Sequence, residues 1–308
     1  MRKMSDLLPE NKTLHIWAYG EPGSGKTKMA IQVAKLGRTL FLAVENGLTK
    51  KHFDGIPMEN VCLLGPDSMQ DLNTAYNKLA DFQTTFYKWK ADQSDALKEK
   101  LRKLDEYFTG GTVDPITYWP RPFIFVVVDT LTDVQKDTII HQNPRNAKDF
   151  TQSKPMQIQQ WGMSNAMLDM LTDALVKQEN PYPNIRVNTI WISHEKSEKD
   201  KEGNIVKILP ALSGQNPATI GAKMDIVAYC KLEEKQGARL QSLIVQKHSK
   251  YKNTIVKDRT DMLGNILTDR TPGSSDIMIR VCKNCAYLPE PFLRPAIAGV
   301  KEIEKVSK

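Results

Sequence analysis

The sequence predicts an α/β fold with a mainly parallel central sheet flanked by helices and partly antiparallel at one end. Three observations predict it. A turn rich in glycine and proline, Gly20-Glu21-Pro22-Gly23-Ser24-Gly25, joins an extended segment to a helical one. An apolar run, Phe123 to Val128, lacks any polar alternation, as a strand buried on both faces of a parallel sheet requires. Strand-like and helix-like segments alternate along most of the chain, the pattern of an α/β core.

The first strand is Leu14 to Tyr19, ended by the turn at Gly20. The helix behind it carries Ala30, Val33 and Ala34 on one face and stops at Gly37. Strands follow at Thr39 to Val44, broken by Glu45-Asn46-Gly47, and at Val61 to Leu64, broken by Gly65-Pro66. Residues 68 to 108 read as helical. Leu72, Ala75, Tyr76, Leu79, Phe82 and Phe86 share a face, as do Leu97, Leu101, Leu104 and Phe108. The charges opposite, with Glu99 and Lys103 at i,i+4, suit a solvated face. After the strand Phe123 to Val128, a polar stretch from Gln135 to Gln157 precedes a helix with Met163, Met167, Met170, Leu171 and Ala174 on its apolar face. Thr189 to Ser193 is the next strand. Asp225 to Leu232, Leu240 to Gln246 and Thr254 to Val256 form the antiparallel end of the sheet. Beyond Leu267 the pattern weakens, and the last residues are expected to be mobile.

The 308 residues suffice for one large domain or a core with an appendage. A net charge of +7 and a pI near 9.0 are compatible with a polyanionic partner without identifying one. No segment approaches the length of a membrane span, and Met1 to Asp6 lead into polar residues rather than a signal-peptide core. Four cysteines in this length do not make a disulfide framework, which fits a reducing, cytoplasmic setting. Cys282-Lys283-Asn284-Cys285 lacks the second pair of ligands that a zinc site takes, so free thiols are expected.

Gly20 to Thr27 match G-x-x-x-x-G-K-[ST] in full, between a strand and a helix. Gly20, Glu21, Pro22, Gly23, Ser24 and Gly25 form a backbone cradle for phosphate, which the start of the helix complements. Lys26 would reach the β- and γ-phosphates, Thr27 would place its hydroxyl on Mg²⁺, and Lys28 flanks the site. Asp129, ending the apolar strand, would complete the metal shell. The residue after it is Thr130, so a carboxylate to orient or deprotonate water must come from elsewhere. Glu45, just past the second strand, is the candidate, because strand ends converge on one crevice. His194, after the strand ending at Ser193, would face the same crevice and contact the γ-phosphate.

Taken in order, the P-loop, Glu45, apolar-Asp129-Thr130 and Ser193-His194-Glu195 resemble the RecA-like ATPases. The nearest likeness is to the short, core-only proteins of bacteriophages that act in recombination or single-strand annealing. Val256-Lys257-Asp258-Arg259 resembles the Lys-x-Arg element of ring and filament motors. The resemblance implies a RecA-like core at 13–266 with a helical insertion at about 84–121, an N-terminal segment 1–12 and a C-terminal extension 267–308. It implies ATP and Mg²⁺ as ligands, hydrolysis, and a homo-oligomer, ring or filament, in which Lys257 and Arg259 reach a neighbour's γ-phosphate. It also implies single-stranded DNA as partner, met by two irregular, cationic loops. The first is Asp137 to Pro155, with Arg145, Lys148 and Lys154. The second is Glu195 to Gln215, with Lys196, Lys199, Lys201 and Lys207. A phage protein of this kind would work in the bacterial host cytoplasm. The main alternative is a motor or loader that remodels a protein partner, separable by whether DNA stimulates hydrolysis.

Overall fold

A computed structural model describes residues 13–45, 47–142, 157–177, 185–235, 238–247, 249–251, 253–260, 266–269, 276–286 and 288. Arg145, Lys148 and Lys154, singled out in the first loop, lie outside the described residues.

Six strands form a parallel array: β1 (His15–Gly20), β2 (Thr39–Ala43), β3 (Val61–Leu64), β4 (Phe125–Asp129), β5 (Asn188–Lys199) and β7 (Ile226–Lys235). β6 (Ile205–Pro210) pairs antiparallel with the far half of β5. β8 (Ala238–Ile244), β9 (Lys257–Asp258) and β10 (Ile266–Asp269) add antiparallel strands beyond β7. The order along the sheet is β10-β8-β7-β1-β5-β4-β2-β3. The P-loop strand β1 is therefore separated from the Asp129 strand β4 by β5 alone. The expected parallel sheet with an antiparallel end is the observed one.

The apolar run of β4 is explained by its two faces. Val126 and Val128 join one core with Trp17, Tyr19 and Trp191, while Phe125 and Val127 join the other with Ile16, Ala18 and Ile190. Residues two apart point the same way in a strand, so burying both faces requires apolar residues throughout. Helices cover each side. α1 (Lys26–Ile31), continued by a 3₁₀ turn Gln32–Lys35, and α7 (Ile277–Cys285) pack on one. α2 (Met69–Asp92), α3 (Asp95–Thr109), α5 (Ile158–Val176) and α6 (Asn216–Lys223) contribute to the other, beside α4 (Leu131–Gln142).

The stretch 68 to 108, read as helical, is a pair of helices. Gln93 turns left-handed at φ 50°, and Ser94 caps α3 by accepting from Leu97 N. The apolar faces of the two halves can then fold together, with Phe82 edge-on to Phe108 and Lys100 bonded to Asp81. Ser and Asp at 94–95 were the start signal for a second helix, masked by unbroken helix-forming residues on both sides. Along α5 the buried positions are Ser164, Leu168, Thr172, Asp173, Ala174 and Leu175, whereas Met163 and Met170 are exposed. Of the expected stripe, Met163 and Met170 are turned outward, while Met167 and Leu171 pack against the core and Ala174 is buried. Thr254 makes only an isolated bridge, and the strand expected at 254–256 is displaced to Lys257–Asp258. α7 was not anticipated; it buries Ile277, Met278, Val281 and Cys282.

A buried ion pair joins α3 to the sheet. Arg38 donates to Asp105 through both terminal nitrogens and to the carbonyl of Arg121, and its guanidinium lies 4.1 Å from the centre of the Phe123 ring. Tyr118 donates a further hydrogen bond to Asp105 at 2.8 Å. Asp105→Ala leaves the guanidinium buried without its counter-charge and should lower unfolding stability by about 3–5 kcal/mol, read from urea melts.

Candidate nucleotide and cation site

The site lies at the C-terminal ends of β1, β2 and β4, beside the middle of β5. At the mouth of β1, Gly20 is required by close approach, because a Cβ there would stand 2.3 Å from the backbone oxygen of Cys230 on β7. Gly25, the cap of α1, holds φ +81°, a left-handed conformation that disfavours any side chain. The loop between them is braced from strands that the sequence did not connect to it. Gln241 Nε2 on β8 donates to the carbonyl of Ser24 at 2.8 Å, and Lys231 on β7 pairs with Glu21 at 2.9 Å.

Lys26 is buried, and its Nζ donates to the carbonyls of Gly20 (3.0 Å) and Glu21 (2.7 Å) and to Ser24 Oγ (3.3 Å). Burial pushes its pKa down, opposed by the charges of Asp129, Glu45 and Glu195 among others. Thr27 Oγ1 donates to Asp129 Oδ2 at 2.8 Å. Asp129 Oδ1 is buried with no hydrogen-bond partner. Burial, with Glu45 and Asp133 adding to it, pushes the Asp129 carboxyl up to about 6, against the Thr27 bond and Lys26. A carboxylate with one orphaned oxygen beside a threonine hydroxyl is a donor set suited to a hard divalent cation, so these residues fit the metal that a bound nucleotide brings.

The backbone N–H groups of Val44 (2.7 Å) and Glu45 (3.0 Å) both donate to the carbonyl of Asp129. This ties the end of β2 to the end of β4 and sets Glu45 beside Asp129. Its carboxylate is 42% exposed, so water reaches it, and its Oε2 lies 3.5 Å from His194 Nε2. The backbone N–H of His194 donates to Thr132 Oγ1 at 3.1 Å. Asp133 joins the group. It accepts from Thr130 Oγ1 (2.5 Å) and from Lys136. Burial alone would raise its carboxyl, but Lys136, Thr130 and His194 hold it below the usual range. Asp133 was missed, although Thr130-x-x-Asp133 opening a helix is a capping signal visible in sequence.

The second expected loop is not irregular. β5 continues through His194 and Glu195 to Lys199 and turns at Asp200 to Asn204 into β6. Glu195 pairs with Pro210 and Ser197 with Ile208. Asp200 Oδ1 accepts from Glu202 N and Asn204 N to close the turn of the hairpin. Lys199 and Lys201 are exposed, whereas Lys196 is tied to the carbonyl of Leu212. Glu195 packs behind the P-loop, where burial raises its carboxyl against the bond from Tyr229.

Lys257 and Arg259 do not meet the P-loop of their own chain. Lys257, on β9, pairs with Val227 of β7 and donates to the carbonyls of Gly221 and Ala222, and Arg259 donates to that of Ala222. Both satisfy the open C-terminal carbonyls of α6. They lie toward the start of β7, while the P-loop leaves β1 opposite Cys230.

Three comparisons bear on the chain. Residues 12–260 match the AAA domain family. No curated protein matches significantly. Among solved structures, similar ones include the RadB recombinase, at 14% identity, 85% of this chain, 89% of that one and a TM-score of 0.40. A KaiC-like protein from Pyrococcus horikoshii stands at 11% identity, 77% and 80% coverage and a TM-score of 0.39. The flagellar accessory protein FlaH from Methanocaldococcus jannaschii stands at 10%, 84% and 86%, with 0.37. Among the described residues no helix is long and apolar enough to cross a membrane. With the family match spanning most of the chain and a complete P-loop seated between β1 and α1, the protein belongs to the AAA domain family and is a P-loop ATPase with an α/β core.

Proposed function

We propose that this ATPase hydrolyses Mg²⁺-ATP in response to single-stranded DNA, in recombination, repair or annealing. One observation carries the reading. β5 runs without a break from His194, beside Glu45 at the hydrolytic end of the site, into a projecting hairpin with Lys199 and Lys201 exposed. A polyanion seated on the hairpin would bear on the same strand that positions His194.

Thr27 and Asp129 would hold Mg²⁺, which neutralises phosphate charge when bound. Lys26 would leave the loop carbonyls for the phosphates. Glu45 orients the attacking water and takes its proton, and His194 stands next to it to contact the γ-phosphate. Lys257 and Arg259 serve a neighbouring copy in a ring or filament, since in their own chain they bond carbonyls of α6 rather than the P-loop.

ATP turnover with and without single-stranded DNA tests this, with Lys26→Ala as the control. Stimulation of several-fold, absent in the variant, is expected. Lys199→Glu with Lys201→Glu should weaken DNA binding and reduce its salt slope by about 0.7 per lost phosphate contact. Turnover indifferent to DNA would overturn the reading and favour a protein partner.

A further inference from the structure

Glu45, Asp133 and His194 come from three separate elements, the end of β2, the first turn of α4 and the middle of β5. Each offers a ligand atom, and these atoms lie within 4.8 Å of one another. The 3.5 Å between Glu45 Oε2 and His194 Nε2 is too long for a good hydrogen bond. It matches the spacing of about 3.4 Å between two ligands that each stand about 2.05 Å from a tetrahedral zinc ion. The other imidazole nitrogen, Nδ1, is buried and makes no hydrogen bond. Asp129, 4% exposed, keeps its orphaned Oδ1 close enough to feel the charges of Glu45 and Asp133. Carboxylates are thus gathered around an imidazole; Lys26 is engaged by the carbonyls of Gly20 and Glu21, and Lys136, paired with Asp133 itself, is the cation that a metal ion would displace.

We propose that Glu45, Asp133 and His194 form a second cation site, distinct from the Thr27–Asp129 pair, that takes a divalent transition ion such as Zn²⁺. The ligand types make the distinction. Mg²⁺ seeks oxygen ligands in an octahedron, while one imidazole with two carboxylates favours zinc-like ions. Three protein ligands leave a fourth position for water, the pattern of an open rather than a closed zinc site. Asp133 is prearranged by Thr130 and Lys136, and Glu45 by its backbone bond to Asp129. Convergence therefore needs only side-chain rotation, to bring each pair to the tetrahedral spacing of about 3.4 Å. Binding there does not depend on the DNA reading. Its consequence does rest on the role of Glu45: a Zn²⁺ ion holding that carboxylate withdraws it from water, so zinc should inhibit hydrolysis.

Zn²⁺ calorimetry on the nucleotide-free full chain, with millimolar Mg²⁺ present to occupy oxygen sites, is the test. One Zn²⁺ per chain is expected, with affinity lowered at least about tenfold in Asp133→Asn and in His194→Gln and unchanged in Cys285→Ser. Co²⁺ in place of Zn²⁺ should give a paramagnetically shifted imidazole proton signal that is lost in His194→Gln, a readout a merely folded background cannot supply. Absence of binding would overturn the site, as would equal binding in both ligand variants or loss of binding in Cys285→Ser. If zinc binds as expected but leaves hydrolysis unchanged, the site stands and the role of Glu45 fails.

Discussion

Lys26→Ala should reduce ATP hydrolysis by at least about 100-fold, close to 3 kcal/mol of transition-state stabilisation, while the chain stays folded. Nζ spends its three donors on Gly20, Glu21 and Ser24 in the nucleotide-free protein. Moving to phosphate exchanges neutral acceptors for charged ones, whose hydrogen bonds are roughly twice as strong. The ammonium sits where burial disfavours its charge, and the nearby carboxylates Asp129, Glu45 and Glu195 oppose that. Its attraction for transferred phosphoryl oxygen is correspondingly little screened. Lys26→Arg should recover little, because a planar guanidinium does not fill a cradle shaped for a compact point charge. Steady-state turnover at saturating ATP, beside a thermal melt of each variant, checks this. Activity within tenfold of wild type would mean that other groups hold the phosphates.

Asp129→Asn should inactivate the enzyme and also stabilise its nucleotide-free form. The Asp129 carboxyl has an ordinary value of 3.8 and rises to about 6 in the folded protein, chiefly through burial. Across that window the native state binds more protons than the unfolded state. Stability therefore falls as pH rises from about 4 to about 6, and the loss is complete above it. The shift corresponds to about 3 kcal/mol as an upper bound, part of which Glu45 and Asp133 share as coupled neighbours. An asparagine cannot ionise and keeps an oxygen to accept from Thr27. Urea melts should show a gain of about 1–3 kcal/mol at pH 7.5 and about a third of that at pH 4.5. Mg²⁺-ATP should stabilise wild type more than the variant, because the metal relieves the buried charge. An equal gain at both pH values would contradict the linkage.

The legible parts of this protein are those that local chemistry dictates. Gly20 to Thr27 could be read because a phosphate cradle needs glycines and a lysine at fixed spacing. Phe123 to Asp129 could be read because a strand buried twice must be apolar until it reaches the crevice. Those two segments placed Lys26, Thr27 and Asp129, and the structure brings the three together. Glu45 and His194 were legible as strand-end residues, and they meet because β2 and β5 flank β4 in the sheet order.

What the tertiary structure alone decided depends on contacts between residues far apart in sequence. Gln241 and Lys231 brace the P-loop across more than two hundred residues, and nothing local to either marks that use. The helix break at Gln93 follows from folding α3 back onto α2, which buries two apolar faces that one straight helix would leave apart. The hairpin beyond His194 looked like a polar loop because its side chains meet water, while its backbone is satisfied by strand pairing that composition does not record. Lys257 and Arg259 could be picked out as charges after a strand, but only the docking of β9 beside α6 determined that they bond its last carbonyls. Sequence periodicity reports which faces must be buried; which partner buries them is set by the three-dimensional packing of the whole chain.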